Sequence, residues 1–71
     1  MDKKLNIEEL KTIVAETIEY QNDLQDLLYY FSKHLNRPEY LKAKIIVVND
    51  LYTDIRDNLI KIIEICINLF Y

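Results

Sequence analysis

The chain contains no glycine, and its only proline is Pro38. Turns draw on these two residues, because glycine supplies positive φ and proline presets the φ of a turn. A β-rich fold of 71 residues would need several such turns. A single break near the middle leaves room for two long helices instead. Proline is excluded from helix interiors but favoured at the first helical position. A second helix is therefore expected from residue 38, with the chain reversing just before it.

Both helices carry start signals. Asn6 with Glu9 three residues later reads as a capping box, and Leu5 with Leu10 as its hydrophobic staple. Asn36, Glu39, Leu35 and Tyr40 repeat this arrangement around Pro38. Because Pro38 pushes Arg37 out of helical angles, Arg37 is the alternative cap, with Asn36 closing the first helix in a left-handed conformation. The expected fold is a single all-α domain over 1–71, an antiparallel two-helix hairpin with helices at about 7–35 and 38–70.

Apolar spacing agrees. The second helix alternates fours and threes through Leu41, Ile45, Val48, Tyr52, Ile55, Leu59, Ile62, Cys66 and Leu69. The first shows the same rhythm through Ile7, Leu10, Val14, Thr17, Gln21, Leu24, Leu28, Phe31 and Leu35. Such a repeat marks a coiled-coil-like seam. Folded about residue 38, the two rows meet in one register, Leu35 with Leu41 through Ile7 with Leu69, every pair of numbers adding to 76. Thr17 and Gln21 are the polar positions of the seam, placed to select register or to lie at a dimer edge.

The seam does not exhaust the apolar residues, which make up 51% of the chain. Ile13, Tyr20 and Leu27 form a second stripe, and Ile46, Ile60, Ile63, Ile67 and Phe70 another. A wide apolar stripe means burial on a second side. A domain this short is also marginal alone and leans on disulfides, a metal or oligomerisation. One cysteine and one histidine leave oligomerisation as the support. These two stripes are the expected self-association residues, and a homodimer forming a four-helix bundle is the expected assembly.

Net charge is −3, which disfavours nucleic-acid binding, since phosphate contacts need a basic surface. Residues 1–35 hold four Lys/Arg and seven Asp/Glu, whereas residues 36–71 hold five of each. The longest apolar stretch, residues 59–71, is interrupted by Lys61, Glu64 and Asn68 and falls short of the ~20 residues a membrane span needs. The charged start, Met1-Asp2-Lys3-Lys4, has no apolar core region after it, so no secretory signal is read. With a lone cysteine, this gives a cytoplasmic expectation.

Candidate chemistry is sparse. Glu9, Glu16, Glu19, Asp23 and Asp26 form an acidic face, readable as a phosphate-mimicking surface or, more simply, as solubilising charge. Asp50, Asp54 and Asp57 share a face without completing a metal site, and Arg56 and Lys61 are ordinary ion-pair partners for them. His34 ends the first helix, where a cation suits the dipole. Ser32 is two residues from it and does not face it. Cys66 reads as a small hydrophobe. Six tyrosines stand out, and Tyr29, Tyr30, Arg37 and Tyr40 near the turn form a candidate partner-binding patch.

No catalytic residues, metal ligands, cofactors or small-molecule substrate are expected, and the chain reads as no enzyme. The function expected is a non-enzymatic protein-interaction module: a small dimeric regulator or inhibitor that binds another protein. The alternative is a structural scaffold that self-associates through its apolar faces. The Ile-, Lys- and Asn-rich composition points to an AT-rich genome, and small chains of this kind to a phage or mobile element.

Overall fold

The computed structural model describes the backbone of residues 3–70 and the side chains of residues 6–70. Two helices make up the fold, α1 (Lys3–Lys33) and α2 (Pro38–Phe70), packed against each other as a hairpin. The rod measures 54 × 15 × 14 Å. Its length follows from the ~1.5 Å rise of helices 31 and 33 residues long.

Only the first helix departs from expectation, and it does so at both ends. The second helix begins at Pro38 as the proline dictates. The first begins at Lys3, so Asn6 is an interior residue rather than a cap. Lys3, Lys4 and Leu5 all favour helix, and nothing in that stretch stops it. The side chain of Leu5, and with it the expected staple to Leu10, lies outside the described side chains. At the other end α1 stops at Lys33, two residues short of the expected 35.

The reversal is a β-turn over residues 34–37, closed by the Arg37 amide donating to the His34 carbonyl at 3.0 Å. None of the described residues has a positive φ. Asn36 is therefore not the left-handed closure expected of it. A turn built from negative φ alone requires no glycine, which explains how a glycine-free chain reverses here. The Arg37 carbonyl then receives the Tyr40 amide at 3.0 Å and the Leu41 amide at 3.4 Å, making Arg37 the residue that opens α2.

The helices face each other through rows that keep the 3-4 rhythm but not the expected register. Leu10, Ile13, Thr17, Tyr20, Leu24, Leu27 and Phe31 are buried or half-buried in α1. In α2 the inward row is Leu41, Lys44, Val48, Leu51, Ile55, Asn58, Ile62, Ile65 and Leu69. Alternate members of each expected seam are retained. Val14, Gln21, Leu28 and Leu35 give way to Ile13, Tyr20 and Leu27, and Ile45, Tyr52 and Leu59 to Lys44, Leu51 and Asn58. Each helix is rolled by about 50°, half of one 100° residue step. Contacts across the helices join Glu16 to Asn58, Tyr30 to Lys44 and His34 to Tyr40, numbers that add to 74 rather than 76.

The roll has a physical reason. The expected seam would bury the Gln21 amide among apolar side chains, and an unpartnered buried amide costs about 1–3 kcal/mol. The observed seam puts Gln21 outside and admits polar groups that find partners. Thr17, the one buried polar side chain among the described residues, donates its hydroxyl to the Ile13 carbonyl at 2.7 Å. Asn58 donates its amide to Glu16 Oε1 at 2.9 Å. No described buried side-chain polar atom lacks a partner.

Candidate interaction surface

Few side chains are enclosed by this packing. Among the described residues only Ile13, Leu51 and Ile65 are buried hydrophobics, while sixteen large apolar side chains are exposed. The accessible surface is 5737 Å². A compact monomer of 8.6 kDa would expose roughly 4,700 Å².

The exposed apolar residues are not scattered. Ile7, Val14 and Leu28, spaced by seven or fourteen, each sit one position after an inward-facing place in α1. Ile45, Tyr52 and Leu59 do the same in α2, with half-buried Cys66 continuing the row. In an antiparallel pair these two flanking rows fall on the same side. The hairpin thus presents an apolar row along one side whose six members are 38–59% exposed, with Gln21 as the polar residue in its midst. These six are among the residues expected to close the hairpin. Near the turn this side deepens into a groove of about 350 Å³, lined by Phe31, Pro38, Leu41, Lys42 and Ile45.

The opposite side is charged. Glu9, Glu16 and Asp23 flank the seam there, with Glu19 and Asp26 next to them, all exposed. Asp54 approaches from α2: together with Glu16, Glu19 and burial it raises the Tyr20 phenol above its ordinary value, Glu16 contributing most. The acidic stripe and the apolar row therefore lie on opposed sides, as their spacing predicts. Asp57 pairs with Arg56 at 3.3 Å. Among the described residues no group of three or more His, Cys, Asp or Glu is placed to hold a metal ion.

The expected self-association stripes divide. Ile13, Tyr20 and Leu27 turn toward the hairpin's own seam, Ile13 to 8% exposure and the other two half-buried, which leaves them little surface for a second chain. Their loss follows directly from the roll of α1. On α2, Ile46, Ile60, Ile63, Ile67 and Phe70 are all exposed.

The turn gathers three of the four candidate partner-binding residues. Arg37 Nη1 donates to Tyr40 Oη at 3.2 Å and its guanidinium lies 5.4 Å from the Tyr40 ring. Tyr30 sits under Lys44, its ring centre 5.6 Å from Nζ. His34 joins them, 4.4 Å from Tyr30 and 5.3 Å from Tyr40 between ring centres. Sequence reasoning gave His34 only a role at the helix dipole. Its place in the 3-4 rhythm after Leu27 and Phe31 was the signal that it packs inward. Tyr29 stands apart on the outer face, covered by Lys33 at 4.7 Å. Ser32 is engaged with the Tyr29 carbonyl at 2.7 Å.

None of the described helices is long and apolar enough to cross a membrane. No protein-family model, curated protein or solved structure matches the chain.

Proposed function

We propose that the chain is a non-enzymatic protein-interaction module that works as a homodimer, two hairpins packing their apolar sides together into a four-helix bundle. The observation that carries this reading is the row of Ile7, Val14, Leu28, Ile45, Tyr52 and Leu59 left exposed along one side of the hairpin. Each hairpin exposes about 1,000 Å² beyond the surface of a compact monomer. That excess belongs to the whole elongated rod rather than to one side of it, and is comparable to the ~800 Å² that each partner in a standard interface gives up. Widening an inward stripe by one flanking row is also what a bundle helix requires compared with a lone pair.

In this reading the acidic side and the tyrosine cluster at the turn stay in solvent, where they can meet a different protein. Regulation or inhibition of such a partner is the function that size, charge and absence of enclosed chemistry favour. Thermal unfolding followed at increasing protein concentration tests the dimer, because association raises the midpoint by mass action. A midpoint independent of concentration over the micromolar range would refute it.

The scaffold reading draws on a separate observation, the exposed α2 row of Ile46, Ile60 and Ile67, which lies away from the proposed interface. Growth beyond the dimer with concentration would favour it.

A further inference from the structure

We infer that the turn end docks an acidic segment of a partner protein, held by Arg37 and Lys44 across the aromatic cluster of Tyr30, His34 and Tyr40. The inference rests on the interaction-module reading above and adds the partner's chemistry and the place where it binds.

Charge is segregated along the rod. Residues 27–49, the turn and the helix ends beside it, hold four Lys/Arg and one Asp/Glu, a net +3. The other residues hold five and eleven, a net −6. The four bases are Lys33, Arg37, Lys42 and Lys44. Among the described residues, none of them stands within ion-pair distance of a carboxylate. Three rest on tyrosine rings instead: Lys33 on Tyr29, Arg37 on Tyr40 and Lys44 on Tyr30. A ring attracts a cation through its quadrupole and cancels none of its charge. The turn end therefore keeps a positive field that only an outside anion can neutralise.

The cluster lies clear of the apolar row. Tyr30 and Lys44 meet as Glu16 and Asn58 do, each fourteen residues nearer the turn. They thus share the acidic side of the rod and stay open when a second copy covers the other side. Arg37 and Lys44 are seven residues apart, roughly 10 Å along α2. Carboxylates three positions apart in an extended segment span about the same distance, at ~3.3 Å per residue. Between the two cations His34 joins the tyrosines, 4.4 Å from Tyr30 and 5.3 Å from Tyr40 between ring centres. These rings give an apolar side chain of the segment a surface to lie on. Tyrosine and arginine together are what protein interfaces concentrate. A nucleic acid fits less well, because a polyphosphate longer than the cluster runs into the field of Asp23, Asp26, Asp50 and Asp54.

The test follows amide shifts of the full chain while a capped six-residue peptide of alternating glutamate and leucine is added. Saturable shifts at Tyr30, His34, Arg37, Tyr40 and Lys44 are expected, weakening as salt shortens the Debye length. The same peptide with glutamine for glutamate should produce none. Arg37→Gln combined with Lys44→Gln should weaken binding about ten-fold, the combined worth of two exposed ion pairs. Lys61→Gln, far from the turn, should leave it unchanged. The glutamine peptide and the salt series use the unaltered chain, so the result does not depend on how the variants fold. Shifts that map elsewhere, or no saturation by millimolar peptide, would overturn the inference. So would tighter binding of an oligothymidylate of equal charge or of phosphatidylserine–phosphatidylcholine vesicles. Sedimentation of the same chain reads the dimer separately. A dimer that ignores the peptide overturns this inference alone, and a monomer that binds it overturns the dimer alone.

Discussion

Replacing Leu28 with lysine isolates the proposed interface from the hairpin's own seam. Leu28 is 54% exposed in the single hairpin. About half of its side chain is thus already covered, and half is left for the second copy. Full burial of a leucine is worth about 1.5–3 kcal/mol, so the uncovered half contributes roughly 0.8–1.5 kcal/mol per chain. Both copies carry the substitution, giving roughly 1.5–3 kcal/mol per dimer from apolar burial alone. The two ammonium groups must also leave water or bend away from the contact, which adds to the loss. Leu28→Lys should therefore weaken dimerisation about 100-fold or more, since 1.4 kcal/mol is a factor of ten. Lysine suits a helix nearly as well as leucine, so helicity itself is hardly touched. Tyr29→Lys is the matched control: the neighbouring residue is as exposed but points away from the apolar side. Sedimentation equilibrium on the three chains decides the matter. A Leu28→Lys chain that dimerises like the wild type, or a Tyr29→Lys chain that loses as much, would refute the reasoning.

Other outcomes follow from individual side chains. Ile13 is among the few enclosed residues, and Ile13→Ala should cost about 2–4 kcal/mol in urea denaturation; a loss below about 0.5 kcal/mol would place it outside the seam. Tyr20 should ionise later than an ordinary tyrosine. Its folded value lies above the unfolded one, so its contribution to stability is full below pH 10.0 and is lost as pH rises through the folded value. Glu16→Gln should bring that titration back toward normal in an ultraviolet tyrosinate titration, because Glu16 is the largest cause of the shift. Ile60→Lys, on the outer row of α2, should leave the dimer mass unchanged and suppress any higher growth. Dissociation to monomers by that change would move the interface to the outer row.

The hairpin was legible because its causes are local. The absence of glycine, the position of Pro38 and the 3-4 rhythm each act within a few residues, and each points to two helices. The seam was not legible to better than half a residue step. Leu10, Thr17, Leu24 and Phe31 were placed inward correctly, as were Leu41, Val48, Ile55, Ile62 and Leu69. Their alternate neighbours were not, because this chain offers apolar residues on both flanks of each row. Periodicity cannot choose between Ile13 with Tyr20 and Val14 with Gln21. The choice is made by what becomes of the polar atoms: Gln21 finds no partner inside, whereas Asn58 finds Glu16 from the other helix. That partnership spans 42 residues and has no local signature. The same roll carries the expected seam residues to the surface and draws the expected α1 association stripe inside.

The account stands on which side of the hairpin is covered in solution, and isotope-filtered nuclear Overhauser spectroscopy on a mixture of labelled and unlabelled chains reads this directly. Cross-peaks from the methyls of Val14, Leu28, Ile45 and Leu59 of one chain to the same row of the other are the predicted result. Interchain peaks confined to Ile46, Ile60 and Ile67, or none at all in a folded chain, would contradict it.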